Sequence, residues 1–351
     1  MQSIIQTLTQ AAFHTRLEHP EIHALQQLLA ELLLDLKARD YHFTAISSAS
    51  HGVVNQRADN KLAFDLPGVF GWGRQFAPPL LAEPWFSRLR EAAIIVPDGD
   101  YWRSRVAVAS MDGCLLLHSA HAAEDDYAVH LGPDDYRFYN WIDHYLTLHK
   151  PAVRRAVNVG CGAGGLAMVL ATRLPQAVVT GVDSNPLALF LASASALGNG
   201  KPQVQWQQGA SLSSLPGEFD LIVANLAKLK QPYPDQSILP LADADAESHS
   251  DTLSVATAAS GDEMTRILAS VEEAIARLAV RGTLLLYACV AIKHGRDALR
   301  LGVETLLEGS SLVYEYEELD PDIESDLLGA ENFQQVDRIA AVVLALHKPL
   351  R

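Results

Sequence analysis

The run "VNVGCGAGGLA", Val157 to Ala167, constrains this chain more than any other stretch. Two valines flanking Asn158 read as a short strand, and an apolar run with helical character follows Gly165. Between them lie Gly160, Gly162 and Gly164. Glycine enters left-handed backbone without a steric penalty, so this density predicts a sharp strand-to-helix turn that another group can approach closely. In an open α/β sheet such turns lie beyond the carboxyl ends of the strands, where helix N-terminal amides are exposed and ligands collect.

The sequence around this turn repeats the same unit. From about Ala152, "AVNVG" predicts a strand and "GLAMVLATRLP" a helix; "AVVTGVD" predicts a strand and "NPLALFLASASALGN" a helix with Pro186 in its first turn and Gly198 at its end. "VQWQQG" and "FDLIVANL" predict two more strands. "DEMTRILASVEEAIARLAVRG" predicts a helix ending at Gly282, followed by strand "TLLLYACV", helix "GRDALRLGVETLLEG" and strands "SLVYEYEEL" and "RIAAVVLALHK". Repeated units of this kind predict a mostly parallel sheet with helices on both faces. The last two strands lack a crossover helix between them, which predicts an antiparallel hairpin at one edge. Residues 228–263 form a long polar interruption, to be read either as a substrate lid or as a surface insertion.

The first third reads as a smaller α+β domain. Ile22, Leu25, Leu29, Leu32 and Leu36 recur at helical spacing, and "SRVAVASMDGCLLLHSA" predicts a hairpin turning at Asp112-Gly113. Phe70, Trp72, Phe76, Trp85 and Phe86 serve either as this domain's core or as an acceptor pocket, and core is the better-supported reading.

Charge narrows the partners. The formal net charge of −15 repels a polyanionic backbone, and the densest basic cluster, "KPAVRR", is short, so nucleic acid is a disfavoured partner. No apolar run reaches the roughly 18 residues of a spanning helix, so no membrane partner is expected. The first residues lack a signal-peptide order, and three cysteines are few and far apart; together these predict a reduced, cytoplasmic setting. The histidines His118, His121 and His130 lack the spacing of a zinc site, so no metal is expected.

Asp183 closes the strand after the glycine turn, where a carboxylate accepts two hydrogen bonds from ribose hydroxyls; glycines and acid together predict a nucleoside site. The spacing alone leaves the nucleoside open, because Gly160, Gly162 and Gly165 also satisfy G-x-G-x-x-G and so admit a nicotinamide dinucleotide in an oxidoreductase. A dinucleotide needs a second mononucleotide-binding half, expected after Asn225, whereas the sheet is predicted to finish in a hairpin.

"VNVGCGAGGLA", "VTGVDSNPLAL", "FDLIVANL" and "LAVRGTLLLY", in this order and spacing, resemble the motifs of class I S-adenosylmethionine-dependent methyltransferases. "VHLGPDDYRF" further resembles the segment before the glycine turn in the small-domain methyltransferases, among them the release-factor glutamine methyltransferases. The resemblance covers roughly Val129 to Leu346. It implies a Rossmann-like sheet of seven strands ending in the reversed hairpin, a catalytic domain at 128–351, and an additional N-terminal domain at 1–127 suited to substrate recognition.

It also implies roles by position. Gly160, Cys161, Gly162 and Gly164 would wrap the methionine part of the cofactor, with Asn158 two residues before. Asp183 would hold the ribose, Ser184 and Asn185 would border the adenine, and Ala210 and Ser211 would face its amine. Tyr136, Arg137 and Phe138 would lie on the cofactor side, and Asn225 would stand next to the transferring methyl. Three positions depart from the family: Asn158 replaces an acid, Ala210 replaces an acid or serine, and Asn225 is followed by Leu226-Ala227-Lys228 instead of Pro-Pro-aromatic. The last departure speaks against a planar amide or nucleobase amine as acceptor. Candidate general bases are His130, Tyr136, Tyr139, His144, Asp235, Glu317, Glu318 and Asp320. The expected activity is methyl transfer to a nitrogen or oxygen of a small molecule or protein side chain, with a non-catalytic S-adenosylmethionine-binding regulator as the alternative.

Overall fold

A computed structural model describes residues 19–120, 127–226, 261–329 and 333–350. The polar interruption, with Asp235 in it, and His121 lie outside these residues. The chain divides into two compact units: Met1–Pro133 with Gly162–Met168 and Asn185–Val204, and Asp134–Cys161 with Val169–Ser184 and Gln205–Arg351.

In the first unit, helix α1 (Pro20–Ala38) starts with proline at a position where no intrahelical N–H is needed. It buries the predicted stripe of Ile22, Leu25, Leu29, Leu32 and Leu36. Short helices α2 (Ser48–Asn55) and α3 (Trp85–Glu91) follow, then hairpin β1 (Ile95–Asp98) with β2 (Tyr101–Ser104), which the sequence did not signal. The predicted hairpin is β3 (Val106–Met111) with β4 (Cys114–Ser119), turning at Asp112-Gly113 with both residues at positive φ. Phe70 and Phe76 are fully buried, while Trp72, Trp85 and Phe86 are half-buried.

Numbering runs on through helix α4 (Pro133–His149), strand β5 (Arg155–Val159), helix α5 (Gly165–Arg173) and strand β6 (Val178–Asp183) to helix α6 (Pro186–Gly198). Helix α6 packs on α1 through Gln26 Nε2 to Ser193 Oγ at 2.9 Å, and a Cβ at Gly198 would stand 3.0 Å from the Ala30 carbonyl. The same helix meets β4, whose Leu117 N–H donates to Ser195 Oγ at 2.9 Å.

The second unit contains the whole main sheet: β5, β6, β7 (Gln205–Gln208), β8 (Phe219–Asn225), β9 (Leu278–Ile292), β10 (Val313–Asp320) and β11 (Arg338–His347), ordered β10-β11-β9-β8-β5-β6-β7. Four neighbouring pairs, β7-β6, β6-β5, β5-β8 and β8-β9, are parallel; β9-β11 and β11-β10 are antiparallel. The predicted edge hairpin is therefore present, with β11 inserted between β9 and β10. Among the described residues β9 is followed by the antiparallel strands β11 and β10, not by the second βαβαβ half that a dinucleotide needs.

Helices α7 (Gly261–Arg277) and α8 (Ala298–Leu307) cover one face of this sheet, where Ile267, Val271 and Ala274 and then Leu299, Val303 and Leu307 meet Ile222, Leu284, Leu286 and Val342. Helix α4 lies on the other face, because its Phe138 ring meets that of Tyr287, which alternates with Leu286.

One boundary differs from expectation. Helix α7 ends at Arg277, five residues before Gly282, and β9 begins at Leu278. Gly282 looked like a helix-terminating glycine. It instead serves a bulge, where pairing jumps from Phe219↔Leu278 to Leu221↔Thr283 and a Cβ would meet the Ala279 and Phe219 carbonyls at 2.8 Å. Arg277 fixes the helix end by donating to the carbonyls of Leu212, Leu215 and Gly217.

Candidate active site

The glycine turn has the backbone its sequence requires. Gly160, Gly162 and Gly164 sit at φ of +64°, +50° and +80°, which a side chain would strain. Space around them differs. Among the described residues a Cβ at Gly160 would meet only the Asn225 carbonyl, at 4.0 Å, and one at Gly162 only the His130 carbonyl, also at 4.0 Å. Gly165, by contrast, is packed: a Cβ there would lie 2.8 Å from Leu116 Cδ1. The first two glycines thus leave room above the backbone, as a ligand wrapped by this turn requires.

Within the second unit the ends of β5, β6, β7 and β8 gather most of the predicted residues. Cys161 N–H donates to the Val182 carbonyl at 3.0 Å, and Gly209 N–H to the Asp183 carbonyl at 3.0 Å, which ties the three turns together. Burial, and then the neighbouring Asp183 charge, push the Cys161 thiol well up, so it stays protonated and is no nucleophile. Asn158 is 1 % exposed; its Nδ2 donates to the Val223 carbonyl at 3.4 Å, while its Oδ1 is enclosed and accepts no hydrogen bond. Gln208 Nε2 donates to the Ser184 carbonyl at 3.3 Å.

Ala210, Ser211 and Leu226 line a shallow cleft that opens between the sheet and α7, together with Val159, Ser270 and Glu273. Its wall is mostly aliphatic. Ser211 Oγ donates to Glu273 Oε1 at 2.9 Å and also caps the following turn at Ser213 N. The sequence did not single out Glu273: its helix was legible, but not which face met the β7 turn. An open glycine turn, a carboxylate on the next strand, an enclosed acceptor at Asn158 and an apolar cleft with a polar rim fit S-adenosylmethionine.

Asn185 is spent differently. It is 4 % exposed in the first unit, where its Oδ1 caps α6 at Leu187 N and its Nδ2 donates to the Tyr127 carbonyl at 2.8 Å. Its side chain is a helix cap.

A second cluster forms where α4 meets the ends of β8 and β9. Asn225 Nδ2 donates to Asp135 Oδ1 at 3.2 Å, and Leu226 N–H donates to the Tyr287 carbonyl at 2.8 Å. Asp134 is 7 % exposed and accepts from the Tyr287 hydroxyl at 2.8 Å and from Arg137 at 3.1 Å. Arg137 also reaches Asp320 at 3.3 Å. Burial above all, with neighbouring Cys289 and Asp134, pushes the Tyr287 hydroxyl far up, so it remains a neutral donor. Phe138 is fully buried between the rings of Trp141 and Tyr287, and Tyr136 is half-buried beside it. Asp134, Asp135 and Tyr287 were not among the expected site residues; the paired acids after Gly132-Pro133 were the one local signal.

Of the other candidate bases, Glu317 accepts from Trp141 Nε1 and Glu318 pairs with Arg338, both exposed on β10. Among the described residues no group of three or more His, Cys, Asp or Glu could hold a metal, and no helix is long and apolar enough to cross a membrane.

The family profile of the methyltransferase small domain matches residues 145–226. A release factor glutamine methyltransferase of Deinococcus radiodurans is 31% identical over 284 residues, spanning 80% of this chain and 86% of its own. A trans-aconitate 2-methyltransferase of the same organism is 40% identical over 73 residues, 21% of this chain and 26% of its own. Among solved structures, a SAM-dependent methyltransferase from Agrobacterium tumefaciens has 16% identity and a TM-score of 0.44, covering 75% of this chain and 80% of its own.

Proposed function

Because the chain belongs to the small-domain family of S-adenosylmethionine-dependent methyltransferases that includes the release factor glutamine methyltransferases, we propose that the carboxyl ends of β5, β6, β7 and β8 hold its cofactor and its methyl acceptor. The cofactor supplies a methyl group already activated on a sulfonium, so the protein's task is to align an attacking lone pair and exclude water. Gly160, Cys161, Gly162 and Gly164 wrap the amino-acid part with backbone, and Asn158 Oδ1 offers the enclosed acceptor for its ammonium group. Asp183 takes the ribose diol. Ser184, Ala210 and Ser211 border the adenine, which occupies the aliphatic cleft.

The observation that carries this reading is the meeting of Gly160, Asn225 and Asp135. The Asn225 carbonyl faces the open side of Gly160, and the Asn225 side chain is tied to Asp135. Asp135 on α4 therefore orients the asparagine amide that a Pro-Pro-aromatic sequence fixes elsewhere in the family. An asparagine amide beside a carboxylate suits an acceptor that presents an N–H or O–H group, and we assign Asp135, bonded to that amide, as the base that takes the proton it loses. We assign the acceptor to a nitrogen or oxygen of a protein side chain or small molecule, with residues 1–127 recognising it. The net charge of −15 argues against nucleic acid, and three cysteines without a disulfide suit a reducing, cytoplasmic compartment.

The test is methyl transfer from labelled S-adenosylmethionine, with a glutamine-bearing release-factor peptide in one arm and carboxylate- or amine-bearing small molecules in the other. Transfer should occur in one arm and fall at least tenfold in Asn225→Ala while S-adenosylhomocysteine still binds. Cofactor binding without transfer to either class would leave a binder and overturn the enzyme reading of this site.

A further inference from the structure

The first unit holds a buried cation with no anion paired to it among the described residues. Arg74 is 7 % exposed and forms no ion pair among the described residues. A guanidinium has five N–H donors, and burying one costs several kcal/mol unless charge and hydrogen bonds are met. Here one donor is used: Nε donates to Asn55 Oδ1 at 2.9 Å. Among the described residues the terminal nitrogens make no hydrogen bond, yet they are not among the fully enclosed unsatisfied atoms, so the fork reaches the surface while its stem is buried.

The surroundings hold the guanidinium in place without neutralising it. Its carbon lies 5.0 Å from the centroid of Trp72, whose ring also stacks with His51 at 5.5 Å and takes an edge contact from Phe43 at 5.4 Å. Asn55 is anchored in turn, donating from Nδ2 to the Trp72 carbonyl at 2.9 Å. The backbone beneath is a π-helical turn, Pro67–Gly71, and Arg74 N–H closes back onto the Gly68 carbonyl at 3.0 Å. At Gly71 a Cβ would lie 2.3 Å from the Phe43 ring, so glycine is required there. Single π-helical turns concentrate at functional sites. Asp65 is the nearest carboxylate acting on Arg74, from beyond ion-pair range, and its Oδ1 is engaged by the Gly68 N–H at 2.7 Å. Burial holds the Arg74 pKa below the ordinary arginine value.

We propose that Arg74, held over the Trp72 ring and oriented by Asn55, is a binding site for a carboxylate, which its terminal nitrogens bind through two parallel hydrogen bonds. A planar carboxylate suits it because a guanidinium is itself planar and presents paired donors in one plane. The site is argued from the first unit alone and does not depend on the methyl-transfer reading.

The test is an NMR titration of the ¹⁵N-labelled full chain with sodium acetate, with inorganic phosphate in a second arm and sodium chloride at matched ionic strength as control. The Arg74 Nε–H and Trp72 indole signals should shift saturably with acetate and at least threefold more weakly with phosphate. Arg74→Lys keeps the charge but loses the fork, and should abolish saturation. Asn55→Ala keeps the guanidinium but frees it, and should weaken binding about fivefold, so the proposal remains testable if the lysine variant does not fold. Shifts that only follow chloride, saturation retained in Arg74→Lys, unchanged binding in Asn55→Ala, or phosphate binding tighter than acetate would each overturn it.

Discussion

The glycine turn and the acid–amide cluster stand at the carboxyl ends of neighbouring strands, yet they are built on opposite principles. Around Gly160 the work falls to backbone: positive φ, open space, and N–H groups that need no particular side chain. Around Asn225 it falls to side chains, Asp135, Asp134, Tyr287 and Arg137, each fixed by a partner distant in sequence, Arg137 through Asp320. A site that recognises an invariant cofactor can be written in backbone. If the second cluster meets the acceptor, as proposed, side chains carry that recognition, and here Asn225 is followed by Leu226-Ala227-Lys228.

If the division is right, mutations on the two sides should separate binding from turnover. The largest effect is expected at Asn225→Ala, where loss of alignment should lower kcat by about a hundredfold, the order expected for misplacing a reacting group by an ångström. The Kd for S-adenosylhomocysteine should stay within twofold. Next is Asp183→Ala on the other side: a lost charge-assisted ribose contact is worth about 1.5–3 kcal/mol, so calorimetry should show the cofactor bound tenfold or more weakly. If both substitutions change Kd and kcat alike, the two clusters are one.

Asp135 gives a finer cut. Asp135→Asn retains an oxygen for the Asn225 amide but no proton acceptor, whereas Asp135→Ala loses both. The alanine variant should lose about tenfold in kcat and the asparagine variant about the same if Asp135 is the base, but much less if it only orients Asn225. Single-turnover rates against pH separate these outcomes, because only a base leaves an acid limb that the asparagine variant lacks.

The smallest expected effect is on stability. Tyr287→Phe leaves Asp134 short of one buried hydrogen bond and should cost about 1 kcal/mol in denaturant unfolding. The folded protein keeps the Tyr287 proton where an unfolded chain releases it near pH 10. This contribution is therefore full below pH 10 and declines above it, so the gap between wild type and Tyr287→Phe should narrow as pH rises past 10. A gap that widens there would mean the hydroxyl ionises in the fold.

The same division explains what could be read from sequence. Strand β5, the turn, β6 with Asp183 and the terminal antiparallel pair are encoded in contiguous residues, through valine alternation, glycine density and the absence of a crossover. The Asn225–Asp135 contact joins residues 90 apart and Tyr287–Asp134 residues 153 apart, and no local pattern announces either. The end of α7 was misplaced because a glycine in a bulge and a glycine after a helix look alike in one dimension. The capping role of Asn185 was legible too, because the proline next to it marks a helix start.

A crystal structure of the chain with S-adenosylhomocysteine is the most direct measurement. The account predicts the sulfur between the Gly160 backbone and Asn225, both ribose hydroxyls on the Asp183 carboxylate, and the adenine in the cleft beside Ser211 and Glu273. Protein side chains filling the space over Gly160, or a ribose that ignores Asp183, would contradict it.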